Sequence, residues 1–552
     1  MDLRSVLLFS GLDDVALAAL RSRLTLRRYR KGEIIMRAGA YGDSMFIIRS
    51  GQLQVFAEGK DGATTIITHL SPGLPVGEQA LLLGERRSAN VRVSIEAELW
   101  ELKKRDFEDL FIGYSSFALS FSRELARRIN RTTRQPKEQE ITNLLAILGT
   151  GISQLVTDLA YITGERIILL DLGGLSAGDR DVDPIVTLSQ MDPNLTPEAL
   201  ATRLGVLINQ YDRVLMAIPP YENALSRKAA EQAEVIIELN NRSTPWVKRF
   251  ARDGRYWHQP LSNGGLTRMA RRIARRRVGL ALSSGSAWSI AHIGVLRVLE
   301  REGFPIDMIA GTSGGGLFGG LYAIGKSLDE VEAFARSLAR ISSPRSGFGG
   351  LADINIPPRH GLVKGHKLMK WLEQNYEHKD FSEAVIPLKV IACDVILGEE
   401  VVFDSGPIAE GIRATFSIVP LFDPAYLRGR WLIDGAAVNP VPTSVLRDHV
   451  DIIIASSVIA SIEERQSRKV LIESGKLPNI FALMFGKEGI MESGIIQSKM
   501  GHVDVLIQPD VALYEASDFS RIDEFIAAGE EAAEKAIASI KGVLQPQPRS
   551  PV

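Results

Sequence analysis

The sequence predicts a multidomain α/β protein with three domains and a short tail. A small β-barrel or jelly roll is expected over residues 1–135, a Rossmann-like α/β segment over 136–277, an α/β domain over 278–545, and a tail over 546–552. Three observations support this fold class. The chain has 552 residues, which is too long for one ordinary core. Short β-rich runs with Gly and Ser turns fill its first part, whereas fully apolar strands alternate with helical stretches later.

Composition excludes some function classes before any motif is considered. The 65 Lys and Arg residues nearly balance the 66 Asp and Glu residues, so no global charge favours a nucleic-acid partner. A single cysteine, Cys393, lies in an apolar stretch, which rules out an intrachain disulfide and fits a reducing compartment. The sequence shows neither a secretory signal pattern nor an apolar run of spanning length. We therefore expect a cytoplasmic protein whose membrane contact, where it occurs, is peripheral.

The first domain is predicted from short strands separated by turns. Candidate strands cover residues 33–36, 45–48, 53–56, 65–67, 91–93 and 98–100, and a helical pattern runs from 104 to about 134. Regular short strands with Gly-Asp and Ser-Gly turns are typical of a barrel or jelly roll.

A ligand motif lies between those strands, where residues 77–90 read GEQALLLGERRSAN. A cyclic phosphate requires a fixed guanidinium and backbone N–H groups, and a ribose hydroxyl requires a carboxylate acceptor. The segment resembles the phosphate-binding cassette of cyclic-nucleotide-binding domains. The resemblance implies that Arg87 holds the phosphate of cAMP or cGMP, an allosteric ligand, and that Glu78 holds the ribose. It further implies that the cradle is shaped by Gly77, Ala80, Ser88 and Ala89. A roll kept as a scaffold without ligand is the alternative.

The middle segment alternates apolar strands with helical stretches, a layout that resembles that of nucleotide-dependent partitioning ATPases. Strand candidates at 144–148, 166–171, 213–220 and 234–238 predict a parallel sheet covered on both faces. The first turn, GTGISQ at 149–154, lacks the Gly-Lys-Ser/Thr that reaches phosphates and magnesium. We therefore interpret the segment as a spacer or regulatory domain. Its end, 268–277, carries six arginines, with apolar residues interleaved at helical spacing. That helix could lie on an anionic membrane or be a solvated interdomain helix.

The last domain contains a motif that could present a nucleophilic serine. Ser313 lies in GTSGG at 311–315, after an apolar run and before a helix-compatible stretch. Small residues on both sides allow a strand to turn sharply into a helix and expose the hydroxyl. Upstream, a buried strand at 278–282 leads to the small-residue turn SSGSAWS at 283–289 and to a helix. Both turns should lie at the carboxyl edge of one βαβ unit.

A second motif supplies an acidic residue, because WLID at 431–434 places Asp434 at the end of an apolar strand. The order of these motifs resembles that of the patatin-like phospholipases. With the cyclic-nucleotide module upstream, it resembles their neuropathy-target-esterase branch. The resemblance implies phospholipid or lysophospholipid deacylation through an acyl-enzyme, with Ser313 as nucleophile and Asp434 as its base. The mechanism that the resemblance implies uses no metal or other catalytic cofactor. Backbone N–H groups of the oxyanion loop would come from Ser284, Gly285, Ser286 and Ala287.

The oxyanion loop departs from the family pattern. Serines replace glycines at Ser283, Ser284, Ser286 and Ser289, and Trp288 stands in the usually basic position. Serine tolerates positive φ less readily than glycine, so the loop could aim its donors poorly. Two alternatives therefore stay open: a weakly active or inactive patatin-fold protein that binds lipid or serves as a scaffold, and an α/β-hydrolase triad using His449 or His502. The dyad requires that Ser313 and Asp434 face one cleft within hydrogen-bonding reach.

Overall fold

The computed structural model describes most of the chain and divides it into two compact units, Met1–Ala274 and Arg275–Val552. The first unit contains an antiparallel β-roll and a parallel α/β sheet, and the second contains a mixed α/β sheet. The described residues are 9, 12–58, 64–70, 72–83, 86–114, 117, 143–190, 192–241, 243–253, 255–259, 264–342, 353–355, 360–459, 489–496 and 503–545.

The β-roll is built from antiparallel pairs around two long strands. Its strands are β1 Thr25–Tyr29, β2 Ile34–Met36, β3 Ser44–Glu58, β4 Thr64–Leu70, β5 Pro75–Val76 and β6 Asn90–Lys103. Its helices are α1 Asp14–Arg23, α2 Glu78–Leu83 and α3 Lys104–Gly113. This confirms the predicted β-rich N-terminal fold.

Several predicted boundaries in the roll are wrong in detail. The short strands expected at 45–48 and 53–56 form one strand, β3, and those at 91–93 and 98–100 form β6. The ladder continues because the register shifts around Gly51, whose φ of +85° is available to glycine. A Cβ on Gly51 would lie 2.2 Å from the Glu96 carbonyl oxygen. The helix predicted to reach about 134 is seen as α3, and residues 118–142 lie outside the described residues.

The second part of the first unit is a six-stranded sheet in the order β12-β11-β7-β10-β8-β9, with every pair parallel. The strands are β7 Leu144–Gly149, β8 Ile167–Asp171, β9 Val186–Ser189, β10 Arg213–Ala217, β11 Val235–Leu239 and β12 Tyr256–Gln259. The helices are α4 Ile152–Thr163, α5 Pro197–Gln210, α6 Ala224–Gln232 and α7 Gly265–Ala274. One core contains residues of α4 and α7 and another contains residues of α5 and α6, so the predicted two-sided burial is confirmed.

The turn after β7 is occupied by the protein's own carboxylate. Asp179 Oδ1 accepts hydrogen bonds from the backbone N–H and the hydroxyl of Ser153, each at 3.2 Å, in the first turn of α4. A helix N-terminus favours an anion, and in P-loop proteins that anion is a phosphate. Here a buried side chain already fills this role, in agreement with the absence of a P-loop lysine.

The arginine-rich helix α7 packs into the first unit. Its apolar residues Met269, Ala270 and Ile273 are buried in the core of the parallel sheet. The guanidinium of Arg272 lies 4.1 Å from the ring centroid of Trp257. Because its apolar side is covered by the sheet, the hypothesis that α7 lies on a membrane is wrong for this structure.

The second unit is an eight-stranded sheet in the order β17-β18-β15-β14-β13-β19-β20, with β16 paired to β15. Strands β13, β14, β15, β19 and β20 pair in parallel, whereas β16, β17 and β18 pair antiparallel. The strands are β13 Val278–Leu282, β14 Met308–Thr312, β15 Leu388–Asp394, β16 Glu399–Phe403, β17 Ala425–Leu427, β18 Arg430–Asp434, β19 Ile452–Ser456 and β20 Val505–Ile507. The helices are α8 Ala291–Arg301, α9 Gly314–Ala323, α10 Leu328–Ser342, α11 His366–Asn375, α12 Ile408–Thr415 and α13 Ile522–Leu544.

Helices of the second unit cover the apolar strands with one large core. The strand predicted at 278–282 has the bounds of β13, and the helix predicted after the 283–289 turn is α8. In the described part of the chain, no helix is both long and apolar enough to span a bilayer.

Candidate active site

Ser313 occupies a strained turn between β14 and α9. Its φ of 54° and ψ of −124° place a non-glycine residue in a region that L residues rarely adopt. The neighbouring glycines allow this turn to pack closely. A Cβ on Gly311 would lie 2.5 Å from the Cα of Gly316, and one on Gly315 would lie 2.3 Å from the Leu282 carbonyl oxygen. The hydroxyl is thus held on a rigid bend at the carboxyl end of a central strand.

Asp434 meets this hydroxyl from β18. The Ser313 Oγ donates a hydrogen bond to Asp434 Oδ2 at 2.6 Å. Strand β15 aligns the two residues at the same end of the sheet. Thr312, which precedes Ser313, pairs with Ile391, and Asp434 pairs with the next residue of β15, Ala392. The two side chains that the dyad requires therefore face one cleft.

The environment of Asp434 makes its carboxyl a stronger base than an exposed aspartate. Burial raises its pKa to about 6, although hydrogen bonds from the Ser313 hydroxyl and the Ala436 N–H act in the opposite direction. The Ala436 N–H lies 2.9 Å from Oδ1. At neutral pH the carboxyl is mostly ionised and can accept a proton.

The four predicted oxyanion residues separate into two groups. The N–H of Ser284 donates to the Pro440 carbonyl at 2.9 Å, and the N–H of Ala287 donates to the Ala516 carbonyl at 2.9 Å. Their assignment as oxyanion donors is therefore wrong, because those N–H groups already have acceptors. Within the described part of the chain, the N–H groups of Gly285 and Ser286 have no protein acceptor.

Serine side chains leave two hydroxyls without protein partners in this loop. Ser284 Oγ and Ser286 Oγ are buried, and neither has a hydrogen-bond partner among the described residues. Ser286 has a φ of 51°, which a glycine would adopt with less strain. The Ser289 hydroxyl donates to the Ser286 carbonyl, and a Cβ on Gly314 would lie 1.8 Å from that hydroxyl oxygen. The loop and the residue after the nucleophile are thus in direct contact.

Buried His292 fixes the start of the same loop. Its Nε2 lies 3.0 Å from the Ser283 carbonyl oxygen and its Nδ1 lies 2.9 Å from the Ser456 hydroxyl. A carbonyl can only accept, so Nε2 carries the proton and Nδ1 accepts from the hydroxyl. Burial lowers the pKa of His292 to about 4. This neutral imidazole positions the loop and does not contact the Ser313–Asp434 pair.

A cavity of about 220 Å³ opens over the two side chains. Gly285 and Ser286 line it together with Ser313 and Asp434. Most of its remaining wall is apolar and comes from Trp288, Ile418, Val419, Ile433, Met491 and Ile495. Its other polar residues are Ser284, Ser417 and Glu492. A largely apolar cavity with a few polar groups suits a hydrocarbon chain that carries an ester.

Neither histidine of the alternative triad reaches this cavity in the described structure. His449 is exposed in the turn before β19, and its backbone N–H donates to the Leu446 carbonyl. His502 lies outside the described residues. The described residues that line the cavity include no histidine, and the described chain has no cluster of three or more residues able to hold a metal ion.

Thr415, which no sequence motif indicates, supports the nucleophile. Its hydroxyl accepts the Ser313 N–H at 2.7 Å and donates to the Ile391 carbonyl. The Thr312 hydroxyl similarly donates to the Asn439 carbonyl at 2.8 Å. No catalytic motif in the sequence includes Thr415, so the sequence gives no signal for this role.

In the roll, Arg87 is anchored by backbone carbonyls. Its Nη1 donates to Gly77 at 2.7 Å and its Nη2 donates to Ser44 at 2.5 Å. Burial lowers the pKa of Arg87, while the carboxylates of Asp43 and Glu78 oppose the shift. A guanidinium has five N–H donors, so it retains donors for an anion.

The other predicted cradle residues surround this arginine to different degrees. Glu78 is buried, and Ala80 packs so close to Gly42 that a Cβ there would lie 2.8 Å from the Ala80 Cβ. Ser88 is exposed and donates to the Gln79 side chain at 3.3 Å, and Ala89 is half-buried. The structure brings Gly77, Glu78, Ala80 and Arg87 together and leaves Ser88 facing outward.

Two segments of the chain match known protein families. Residues 280–447 match the family model of patatin-like phospholipases, and residues 26–114 match that of cyclic nucleotide-binding domains. An uncharacterized NTE family protein of Mycobacterium tuberculosis is 23% identical and covers 97% of this chain and 96% of its own length. Lysophospholipase NTE1 of Saccharomyces cerevisiae is 24% identical over 56% of this chain and 19% of its own length. The catabolite activator protein of Thermus thermophilus is 24% identical over 28% of this chain and 68% of its own, with a TM-score of 0.22.

Proposed function

We propose that this chain, which carries a cyclic nucleotide-binding domain and a patatin-like phospholipase domain and aligns with an NTE family protein over nearly its whole length, is a serine hydrolase of phospholipid or lysophospholipid esters. The observation that carries the proposal is the 2.6 Å hydrogen bond from Ser313 Oγ to Asp434 Oδ2. The apolar cavity above this pair supports a lipid substrate.

In the first half-reaction, Ser313 Oγ attacks the acyl carbonyl carbon while its proton passes to Asp434 Oδ2. The carbonyl oxygen becomes an oxyanion next to the N–H groups of Gly285 and Ser286. Collapse of this intermediate breaks the ester bond, and the departing alkoxide takes the proton from Asp434. The products of this step are an acyl-enzyme and an alcohol.

In the second half-reaction, Asp434 accepts a proton from water, whose oxygen attacks the acyl-enzyme. The ester to Ser313 breaks, the proton returns to Ser313 Oγ, and a fatty acid leaves. The raised pKa of Asp434 supports both transfers, because a base works best when its pKa approaches the working pH.

The roll binds a regulatory ligand of this hydrolase. Cyclic nucleotide held by Arg87 and Glu78 shifts an equilibrium of the first unit that changes turnover in the second. Cys393 is the one cysteine of the sequence, and its buried thiol donates to the Asp394 carbonyl. A chain that cannot form an intrachain disulfide fits a reducing, cytoplasmic compartment.

The direct test is hydrolysis of lysophosphatidylcholine by the full chain, with and without cAMP or cGMP. Ser313→Ala should lower turnover by at least about 10³-fold, while Ser520→Ala, an exposed serine of the same unit, should not. Arg87→Ala should remove the nucleotide effect, and its exposed neighbour Arg86→Ala should keep it. Full turnover in Ser313→Ala would reject Ser313 as the nucleophile.

A second candidate is a patatin-fold lipid-binding or scaffold protein with little or no activity. It is favoured by the engaged N–H groups of Ser284 and Ala287 and by the strained φ of Ser286. Losing one oxyanion donor typically lowers turnover by about 10²- to 10³-fold. A well-folded wild type that retains lysophospholipid without hydrolysing it would support this candidate.

A further inference from the structure

An exposed apolar surface lies beside the cavity in the second unit. Ile396 is 73% exposed and Leu397 is 61% exposed at the turn between β15 and β16. Tyr426 is 60% exposed on β17 and Trp431 is 48% exposed on β18. Together with exposed Val395, these residues form what we call the docking surface. Single exposed apolar residues are ordinary, but a contiguous group commonly marks an interaction site.

The docking surface is held in place by the protein. Asp394 Oδ1 accepts the N–H groups of Ile396 at 3.0 Å and of Leu397 at 3.2 Å, which fixes the turn. The Val395 N–H donates to the Trp431 carbonyl at 2.9 Å, which ties the turn to β18. The Tyr426 and Trp431 ring centroids lie 4.8 Å apart. The apolar side chains are therefore presented to solvent by ordered backbone.

The surface is continuous with the cavity wall. Side chains alternate along a strand, so Trp431 and Ile433 share one face of β18, and buried Leu432 points to the other. Ile433 lines the cavity, and Asp434 follows it. Three residues of strand span about 10 Å. Val419 and Met491, which also line the cavity, are exposed as well and extend the apolar rim.

The charges around the surface indicate the type of partner. Arg430 lies 3.1 Å from Glu399 and 3.4 Å from Asp394, so nearby carboxylates neutralise it. Arg428 donates to the Ser405 carbonyl and stacks 4.6 Å from the Phe403 ring centroid. The surface thus lacks a strong basic field. Trp and Tyr beside aliphatic side chains are typical of the interface between lipid headgroups and acyl chains.

We propose that the docking surface inserts into a zwitterionic phospholipid interface and brings the cavity mouth to the lipid. The inference rests on the proposed function in one respect: a lipid substrate must enter the cavity. Insertion places Trp431 at headgroup depth, so that an acyl chain passes along Ile433 toward Ser313 without crossing bulk water. Because the contact is apolar, binding depends little on anionic lipid or on salt.

The test is co-sedimentation of the full chain with phosphatidylcholine vesicles. The double variant Ile396→Ser/Leu397→Ser should lower the partition coefficient by about 10-fold or more, since each buried aliphatic side chain contributes strongly. The matched control is Val385→Ser, which changes an exposed residue before the start of β15, whereas the docking turn follows its end. This control should bind as the wild type does. The double variant should still hydrolyse a soluble short-chain ester at the wild-type rate.

Each result decides for or against the docking surface. A wild type that does not sediment with vesicles, a double variant that binds unchanged, or an equal loss in Val385→Ser would overturn it. If the wild type is a dimer and the double variant a monomer without vesicles, a second copy covers the surface and the proposal is wrong. Vesicle binding should persist in Ser313→Ala. Vesicle binding by a wild type that hydrolyses no ester would contradict the proposed function but support the docking surface.

Discussion

The Asp434 carboxyl determines whether a two-residue hydrolase can work. An ordinary aspartate is too weak a base to take a proton from an alcohol, but burial raises the pKa of this carboxyl to about 6. The fold accepts a stability cost for this basicity. Since the folded pKa lies above the usual value of 3.8, the folded chain holds the proton more tightly than the unfolded chain. This residue's contribution to stability therefore falls as pH rises from about 4 to about 6.

The same carboxyl predicts the pH dependence of the reaction. Asp434 must be ionised to accept the proton, so kcat/KM should rise with pH along an acid limb whose apparent pKa is about 6. A pH series with a soluble ester, whose own ionisation is constant, checks this prediction. A limb near the usual aspartate value, or none, would show that another group acts as the base. Asp434→Asn should remove the activity across the series.

A substitution at Ser286 distinguishes oxyanion stabilisation by its backbone N–H from stabilisation by its hydroxyl. Ser286→Gly keeps the backbone N–H, relieves the left-handed φ and deletes the buried hydroxyl. Because we assign donation to the N–H group, kcat should stay within about threefold of wild type. A fall of about 10²-fold or more would assign the donor role to the hydroxyl instead. Thr443→Val, which deletes another buried hydroxyl without a described partner, outside the cavity lining, is the control.

At the scale of elements, the site depends on how closely α9 approaches the end of β13. Gly315 contacts the carbonyl oxygens of Leu282 and Ser283, so a Cβ would lie 2.3 and 2.5 Å from them. Those oxygens belong to backbone and cannot move aside alone. His292 also binds the Ser283 carbonyl, so helix, strand end and oxyanion loop share one contact point.

Gly315→Ala should therefore push α9 away from β13 and misplace Ser313. We expect turnover to fall by about 10²-fold, since a shift of about 1 Å in a reacting group can have that effect. Steady-state kinetics and circular dichroism would measure activity and folding together. Gly542→Ala in α13, where a Cβ meets nothing within 4 Å, should leave kinetics unchanged. Wild-type turnover in Gly315→Ala would contradict the shared contact.

The elements of this fold are predictable from the sequence, whereas the contacts between distant elements are not. The apolar strand at 278–282 was predicted with its observed bounds, because strands buried on both faces read as apolar runs. In the roll, β3 was divided in two because a glycine inside a continuous strand looks like a turn. The Ser284 and Ala287 donors were misassigned because their acceptors, Pro440 and Ala516, are far away in sequence.

At the scale of the whole molecule, the first unit binds the roll to its parallel sheet. Lys31 Nζ donates to the Gln232 and Ala233 carbonyls at the end of α6, each at 2.7 Å. The Glu96 N–H donates to the Gln232 side chain at 2.9 Å. Burial between these elements lowers the pKa of Lys31 to about 7. We therefore expect a ligand that orders the roll to stabilise the whole first unit.

Calorimetry of the full chain should detect that action. Saturating cAMP or cGMP should raise the unfolding temperature of the first unit, because a ligand at about 100 times its Kd adds about 2.7 kcal/mol. Arg87→Ala should abolish the increase, and Arg86→Ala should preserve it. An unchanged transition in wild type at millimolar nucleotide would show that the roll is a scaffold without this ligand.

We propose that Ser313, activated by Asp434, forms a covalent bond with the acyl group of its substrate. Mass-spectrometric mapping after reaction with a fluorophosphonate tests it most directly, since the probe marks activated serines. We predict one adduct per chain on Ser313, with no labelling in Ser313→Ala and labelling slowed by at least about 10²-fold in Asp434→Asn. An adduct on another serine, or equal labelling of wild type and Ser313→Ala, would contradict the account.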